Sequence, residues 1–251
     1  MKIALVTGGS RGLGRSMALN LAHKGVDVIL TYKTKKEEAE SVATEIIRMG
    51  QKGYALHFDV SDLKSIDGFI QKVLTILKDH WNTDKIDFLV NNAGIGASIP
   101  FAQVQEDVFD NFLNIHFKGV YFLTQKLLPH INDNGSIVNI STGTTRFANP
   151  GYSLYASMKG AIEVFTKYLA KEVGARGIRA NVIAPGPVET DFNNAVIRNA
   201  PPERRNMMIG NTALGRFGQP DDIGSVVAFI CSDEAKWITG QRIEVSGGIN
   251  L

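Results

Sequence analysis

The sequence lacks almost everything that would mark a secreted, metal-bound or membrane-embedded chain. It holds one cysteine, Cys231, in 251 residues, so no internal disulfide can form and no cysteine-rich zinc site is available. No apolar run approaches the roughly 20 residues a membrane-spanning helix needs. The opening Met1-Lys2-Ile3-Ala4-Leu5-Val6-Thr7 is too short in apolar residues for a secretory leader. Charge of one sign is also missing: 27 Lys and Arg face 25 Asp and Glu, for a formal net charge of +2. The densest basic group, Lys33, Lys35 and Lys36, is too short for a nucleic-acid-binding tail. These absences lead us to expect a cytoplasmic protein with no metal, no nucleic-acid partner and no membrane partner. What remains is 44% apolar and 21% charged, enough for a sizeable core without cross-links.

Short β-rich runs alternate with helical patterns along the whole chain. The strand candidates are Lys2–Thr7, Val26–Thr31, Gly53–Phe58, Ile86–Val90, Ser136–Ile140, Arg179–Ile183 and Arg242–Val245. Most are compact Val/Ile/Leu runs, as in strands covered on both faces. Helical patterns run over Gly14–His23, Lys36–Met49, Leu63–Lys78, Asp107–Leu128, Tyr152–Val173 and Asp221–Cys231, with Pro220 opening the last. Such alternation predicts an α/β fold: one domain over residues 1–251, Rossmann-type, its doubly wound parallel sheet carrying helices on both faces. The segment from Thr190 to Gly218, with Pro201-Pro202 and paired methionines, resists assignment. It follows a predicted strand, where ligands bind in open α/β sheets, and reads as a substrate lid or as a plain surface excursion.

The first strand runs into Gly8-Gly9-Ser10-Arg11-Gly12-Leu13-Gly14 and then a helix. Glycines there permit positive φ and close backbone approach to a pyrophosphate, and the helix N-terminus attracts the anion. The spacing is Gly-x-x-x-Gly-x-Gly after a threonine. With Asp59-Val60, Asn91-Asn92-Ala93-Gly94, Tyr155-Ala-Ser-Met-Lys159, Asn181-Val-Ile-Ala-Pro185-Gly186 and Ile243-Glu-Val-Ser-Gly247-Gly248, it resembles the short-chain dehydrogenase/reductase family over essentially the whole chain. The resemblance implies a nicotinamide cofactor held by Gly8, Ser10, Arg11, Gly12, Leu13, Gly14, Tyr32, Lys33, Asp59, Val60, Asn92, Ala93, Gly94, Tyr155, Lys159, Pro185, Gly186, Val188 and Thr190. It also implies a homotetramer, with the helix of Tyr155 and the C-terminal strand region at subunit contacts.

An NAD-selective fold usually ends its second strand with a carboxylate on the ribose hydroxyls. Here Tyr32 and Lys33 stand at that point, and Arg11 adds a cation inside the glycine-rich turn. Both would attract a 2′-phosphate, so NADP(H) is the expected cofactor.

Tyr155 and Lys159 are four residues apart on a predicted helix and share a face. A phenol ionises near 10; an adjacent ammonium and an oxidised nicotinamide would lower that value. The resemblance casts Tyr155 as proton donor to a carbonyl and Lys159 as a hand on the nicotinamide ribose. The family's hydroxyl donor falls thirteen residues before the tyrosine, at Thr142, preceded by Ser141. Strand alternation favours Thr142. The family's relay asparagine aligns with His116, which is either a relay member able to titrate near neutrality or a tolerated replacement.

Ile95, Ile99, Phe101, Phe147, Leu154, Val188, Phe192 and Met208 are candidates for an apolar substrate pocket, although each alone reads equally as core. Three functions fit. One is a reductase of hydrophobic small-molecule carbonyls, or in reverse an alcohol dehydrogenase. Another is a 3-oxoacyl thioester (acyl-carrier-protein) reductase, for which Arg146, Arg198, Arg204 and Arg205 are the basic docking candidates. The third is a non-catalytic NADP(H)-binding sensor.

Overall fold

The computed structural model describes residues 1–251. Seven strands form one sheet in the order β3-β2-β1-β4-β5-β6-β7, every pairing parallel. They are β1 (Lys2–Val6), β2 (Val26–Tyr32), β3 (Gly53–His57), β4 (Ile86–Asn91), β5 (Ile131–Ile140), β6 (Arg179–Pro185) and β7 (Arg242–Val245). The helices are α1 (Gly12–His23), α2 (Lys36–Arg48), α3 (Ile66–Trp81), α4 (Glu106–Leu113), α5 (Gly119–Leu127), α6 (Ser153–Val173), α7 (Phe192–Ala195), α8 (Pro202–Gly210) and α9 (Pro220–Cys231). No helix is long and apolar enough to cross a membrane.

The sheet divides the core by strand parity. Ala4 and Val6 of β1 point to a layer closed by Met17, Leu21, Ile46 and Val227 from α1, α2 and α9. Ile3 and Leu5 point to the opposite layer, closed by Ile70, Leu77, Leu123 and Leu169 from α3, α5 and α6. A strand buried on both faces needs an unbroken apolar run, which is why β1, β2 and β4 stand out in the sequence.

Three regions depart from expectation. The predicted helix Asp107–Leu128 is interrupted: a π-helical turn, Asn114–Lys118, separates α4 from α5. Gly119 closes that turn against Val60, whose carbonyl would lie 2.3 Å from an added Cβ. Strand β5 starts five residues before the predicted Ser136, because Ile131 pairs with Ile86 before the register shifts to Phe88 and Ser136. The intervening Asn132-Asp133-Asn134-Gly135 is polar and includes left-handed Asn134 at φ 64°. The unassigned segment holds the short helix α8 and, before it, the turn α7, in which Asn193, Asn194 and Ala195 take left-handed φ of 53°, 56° and 56°. Its ends are pinned together where Glu189 N donates to Gly218 O (3.0 Å) and Gly218 N to Pro187 O (3.0 Å).

Helices α1 and α9 pack closely at Gly224, where a Cβ would meet Ser16 Oγ at 2.3 Å and Ser16 backbone carbon at 2.8 Å. Helix propensity alone gives Gly→Ala a gain of about 0.8–1.0 kcal/mol. Overpacking against backbone reverses the sign, so Gly224→Ala is expected to destabilise the protein by about 1–3 kcal/mol. Urea unfolding measures this; a raised midpoint would mean the helices separate without cost.

Candidate active site

The C-terminal ends of the strands open into one cleft of about 720 Å³, lined by every residue the sequence put forward for cofactor binding or chemistry. It lies where β1 and β4 diverge, the switch point at which open α/β sheets bind ligands. The divergence is bridged by side chains. Thr7 Oγ1 accepts from Asn92 N (2.9 Å) and Ala93 N (3.0 Å), and Asn92 Nδ2 donates to Thr7 O (2.9 Å) and Gly8 O (3.1 Å). These bonds hold the glycine-rich turn against the end of β4. Gly14 packs so tightly on that turn that a Cβ would lie 2.1 Å from Gly8 O, and Gly8 and Gly12 take φ of 66° and 54°. Helix α1 starts with no side-chain cap, which leaves its first N–H groups and positive dipole end available to an anion. The turn therefore fits a dinucleotide pyrophosphate.

Beside it, Tyr32 ends β2 and Asp59-Val60 follow β3. Arg11 has no side-chain partner, whereas Lys33 Nζ is paired with Asp59 Oδ2 at 2.7 Å. Burial would raise the Asp59 carboxyl, but hydrogen bonds from Lys33 and Ser61 outweigh it and hold the group below its usual range. Pro185, Gly186, Val188 and Thr190 leave β6 along the opposite wall. Thr190 approaches Gly12, its Cβ 3.6 Å from where a Cβ of Gly12 would stand.

Deeper in the cleft, α6 supplies Tyr155 and Lys159 from one face. Lys159 is 5% exposed; its Nζ donates to Ile140 O at 2.8 Å and lies 5.8 Å from the centre of the Tyr155 ring. Burial lowers the Lys159 ammonium to about 8. Burial, aided by Tyr152, raises the Tyr155 phenol above its ordinary value. In the free protein desolvation dominates, and the Lys159 head is turned to the Ile140 carbonyl; the expected lowering also needs the positive nicotinamide ring. A neutral phenol beside a cation can deliver a proton to a basic oxygen.

Ser141 and Thr142 leave β5 toward opposite sides. The Ser141 hydroxyl donates to Glu163 Oε1 at 2.6 Å. Thr142 Oγ1 accepts from Thr144 N and faces Thr144 Oγ1, each at 3.3 Å, so its own proton is free to point into the cleft.

His116 is fully buried in the π-helical turn, its ring edge-on to Tyr155 at 5.2 Å. Its Nε2 lies 3.4 Å from Ile95 N, which donates to it, and Nδ1 has no partner. Burial, and then the Lys159 charge, hold it well below 6.5, a direction that speaks against titration near neutrality. Gly94 makes room for the ring: a Cβ there would lie 2.9 Å from His116 Cε1.

Of the apolar candidates, Ile95, Phe147, Val188, Phe192 and Met208 line the cleft. Ile99 does not, Phe101 is 84% exposed, and Leu154 packs with Phe112 and Met158. Sequence reasoning missed Tyr152, Asn193, Ile197 and Met207, all on the cleft wall. Tyr152 had a readable signal, opening the predicted helix three residues before Tyr155; in the structure it is the residue that precedes α6. Among the basic candidates, Arg146 pairs with Glu244 (3.0 Å), Arg198 with Asp191 (2.8 Å) and Arg205 with Glu189 (2.5 Å). Arg204 alone is unpaired, at the cleft rim.

A glycine-rich turn at the switch point of a parallel sheet, opening into the same cleft as a buried Tyr–Lys pair, defines a dinucleotide-dependent oxidoreductase architecture. A family model described as enoyl-(acyl carrier protein) reductase matches residues 8–250. The 3-oxoacyl-acyl-carrier-protein reductase FabG of Staphylococcus aureus is 38% identical over 252 residues, covering 100% of this chain and 98% of the relative. Among solved structures, the promiscuous reductase LugOII, described as catalysing keto-reduction at C1 in lugdunomycin biosynthesis, superposes with a TM-score of 0.93 at 34% identity, covering 100% of this chain and 98% of that one. The angucycline C-6 ketoreductase LanV with bound NADP gives a TM-score of 0.93 at 34% identity, covering 99% and 95%. This chain belongs to the short-chain dehydrogenase/reductase family.

The acceptor role of Nε2 requires a neutral His116 to carry its proton on Nδ1. Nitrogen-15 NMR of the ring across pH 6–8 is expected to show a single Nδ1–H tautomer that does not titrate. A titration midpoint inside that window would overturn the assignment.

Proposed function

We propose that the protein is an NADP(H)-dependent carbonyl reductase acting on hydrophobic ketones, or in reverse an alcohol dehydrogenase. The observation that carries this reading is the Tyr155–Lys159 pair, Lys159 buried and 2.8 Å from Ile140 O, in one cleft with the glycine-rich turn. The bound cofactor supplies the hydride. Tyr155, neutral as the free protein holds it, donates its phenolic proton to the carbonyl oxygen. Thr142 donates a hydrogen bond to the same oxygen and fixes its position. Lys159 holds the nicotinamide ribose and supports the phenolate that Tyr155 becomes. His116 packs its ring edge-on against Tyr155 at 5.2 Å and so helps set the orientation of the phenol. The lack of a carboxylate at the end of β2, together with unpaired Arg11, favours a 2′-phosphate. LanV, crystallised with NADP, supports the same choice.

The wall formed by Ile95, Phe147, Tyr152, Phe192 and Met208 favours an apolar substrate body. We read residues 190–218 as its lid, because both ends are pinned at Val188 and Gly218 while α7 and α8 lie over the cleft. A 3-oxoacyl thioester substrate is the second reading, favoured by the 38% identity to FabG. A homotetramer is supported by the exposure of Tyr168 (68%) on α6 and Trp237 (96%) before β7. A single buried cysteine, Cys231, which can form no internal disulfide, fits a cytoplasmic site of action.

Oxidation of NADPH with a panel of ketones, aldehydes and acetoacetyl thioesters tests the function. Turnover fits either catalytic reading and the rank order separates them; tight NADPH binding with no turnover would favour a sensor. Tyr155→Phe is expected to lower kcat by about 10²–10⁴-fold with NADPH affinity intact; retained turnover would remove Tyr155 as the proton donor.

Replacing Arg11 and Lys33 together by Ala should weaken NADPH by at least about tenfold, from lost charge-assisted bonds, and leave NADH nearly unaffected. Arg11 should account for most of the loss, because Lys33 is already paired with Asp59. Equal losses for both cofactors in a direct binding titration would contradict the phosphate assignment.

A further inference from the structure

The residue proposed to orient the carbonyl, Thr142, sits on a short irregular connection between β5 and α6, which by itself would not hold a hydroxyl to the tolerance catalysis needs. The connection is secured from two sides. On α6, Glu163 stands four residues past Lys159, on the same helix face. Its Oε1 accepts from Ser141 Oγ (2.6 Å), Thr145 Oγ1 (2.7 Å) and Arg242 Nε (2.9 Å). From β7, Arg242 Nη2 donates to Thr142 O (3.1 Å) and Thr145 Oγ1 (3.2 Å), while its Nη1 donates to Glu244 Oε2 (3.1 Å). Glu244 is also held by Arg146 at 3.0 Å, and Arg146 Nη2 donates to Asn250 O at 3.0 Å. The Glu163 and Arg242 side chains are only 16% and 21% exposed, so these charge-assisted bonds are shielded from water.

The arrangement sorts two successive hydroxyls. Glu163 accepts the Ser141 hydrogen bond and turns that hydroxyl toward α6. Arg242 grips the Thr142 carbonyl, and Thr142 Oγ1, accepting from Thr144 N, keeps its proton for the cleft. The Thr145 hydroxyl has one proton, lying between the Glu163 carboxylate and the Thr142 carbonyl at 2.9 Å, and the charged acceptor is the stronger. We infer that Glu163 and Arg242 are positioning residues that fix the Thr142 hydroxyl toward the substrate and withhold Ser141. This rests on the reading of Thr142 as the carbonyl's hydroxyl donor.

The test is steady-state kinetics of the full-length protein on whichever ketone it turns over, in a double-mutant cycle. Glu163→Gln keeps the volume and removes the charge; it is expected to lower kcat roughly ten- to a hundredfold, the scale of a small misplacement, with KM for NADPH changed less than about twofold. In a Thr142→Ala background the same substitution should add little, because Glu163 acts through Thr142. Arg242→Lys, which keeps the charge but loses the fork, should give the same pattern and serves if Glu163→Gln does not fold. Additive losses in the cycle, or a KM rise with kcat intact, would overturn the inference. A fully active Thr142→Ala would instead overturn the donor reading, and the clamp with it.

Discussion

Everything functional in this fold hangs on the tie across the parting of β1 and β4. A parallel sheet whose crossovers reverse direction at its centre must leave a gap at the C-terminal strand ends there. A gap lined only by loops would be too loose to cradle a dinucleotide. Thr7 and Asn92 close it by using backbone as well as side-chain atoms, with four bonds of 2.9–3.1 Å. The glycine-rich turn is thereby registered to the start of the Asn92-Ala93-Gly94 segment. Gly94 in turn leaves the space that His116 fills beside Tyr155. Cofactor turn and proton-transfer face are thus built from one continuous set of contacts.

The second constraint is low dielectric around the chemistry. Burial separates the protonation states of three neighbours in a useful way. Lys159 comes down to about 8, nearer neutrality than an exposed lysine. Tyr155 goes up, which keeps it a loaded acid in the free protein. His116 goes down, which prevents it from adding a second buried positive charge next to Lys159. Two adjacent buried cations would cost several kcal/mol, so a histidine at this position is compatible with the lysine only as the neutral ring. The phenolate becomes affordable only as positive charge accumulates across the cleft from it.

What could be read from the sequence follows from what each element buries. Strands β1, β2 and β4 announce themselves because both faces are covered, and the site motifs because each occupies a turn at a strand's end. The early part of β5 was hidden, since Asn132, Asp133 and Asn134 loop out opposite Asp87 and carry no apolar signal. The π-helical turn was hidden by its nature: a fit to a 3.6-residue period passes smoothly over Asn114–Lys118, although the insertion determines where His116 points. Helix α8 is short and has apolar residues in succession, Met207-Met208-Ile209, so no face is marked. Ion pairs were least legible. Lys33 read as a free cation until its partner Asp59 was brought alongside from the next strand. Glu163 carries no local signal of its role, its partner Arg242 being 79 residues away.

Those ion pairs also bear on what the cleft selects. At the nucleotide end, recognition rests on charge: unpaired Arg11, Lys33 shared with Asp59, and the uncapped start of α1. At the substrate end the wall is largely apolar, with Ile95, Phe147, Phe192 and Met208. Three of the four arginines near that end are committed to Glu244, Asp191 and Glu189 within the chain. An acidic carrier protein docking there would have to compete with carboxylates already in place, or rely on Arg204 alone, because an exposed ion pair offers a newcomer little net attraction. A free hydrophobic ketone needs no such surface; it needs the aromatic and methionine wall and one hydroxyl held to position. The rim of the cleft therefore offers an acidic carrier one unpaired arginine, Arg204, against three already paired within the chain.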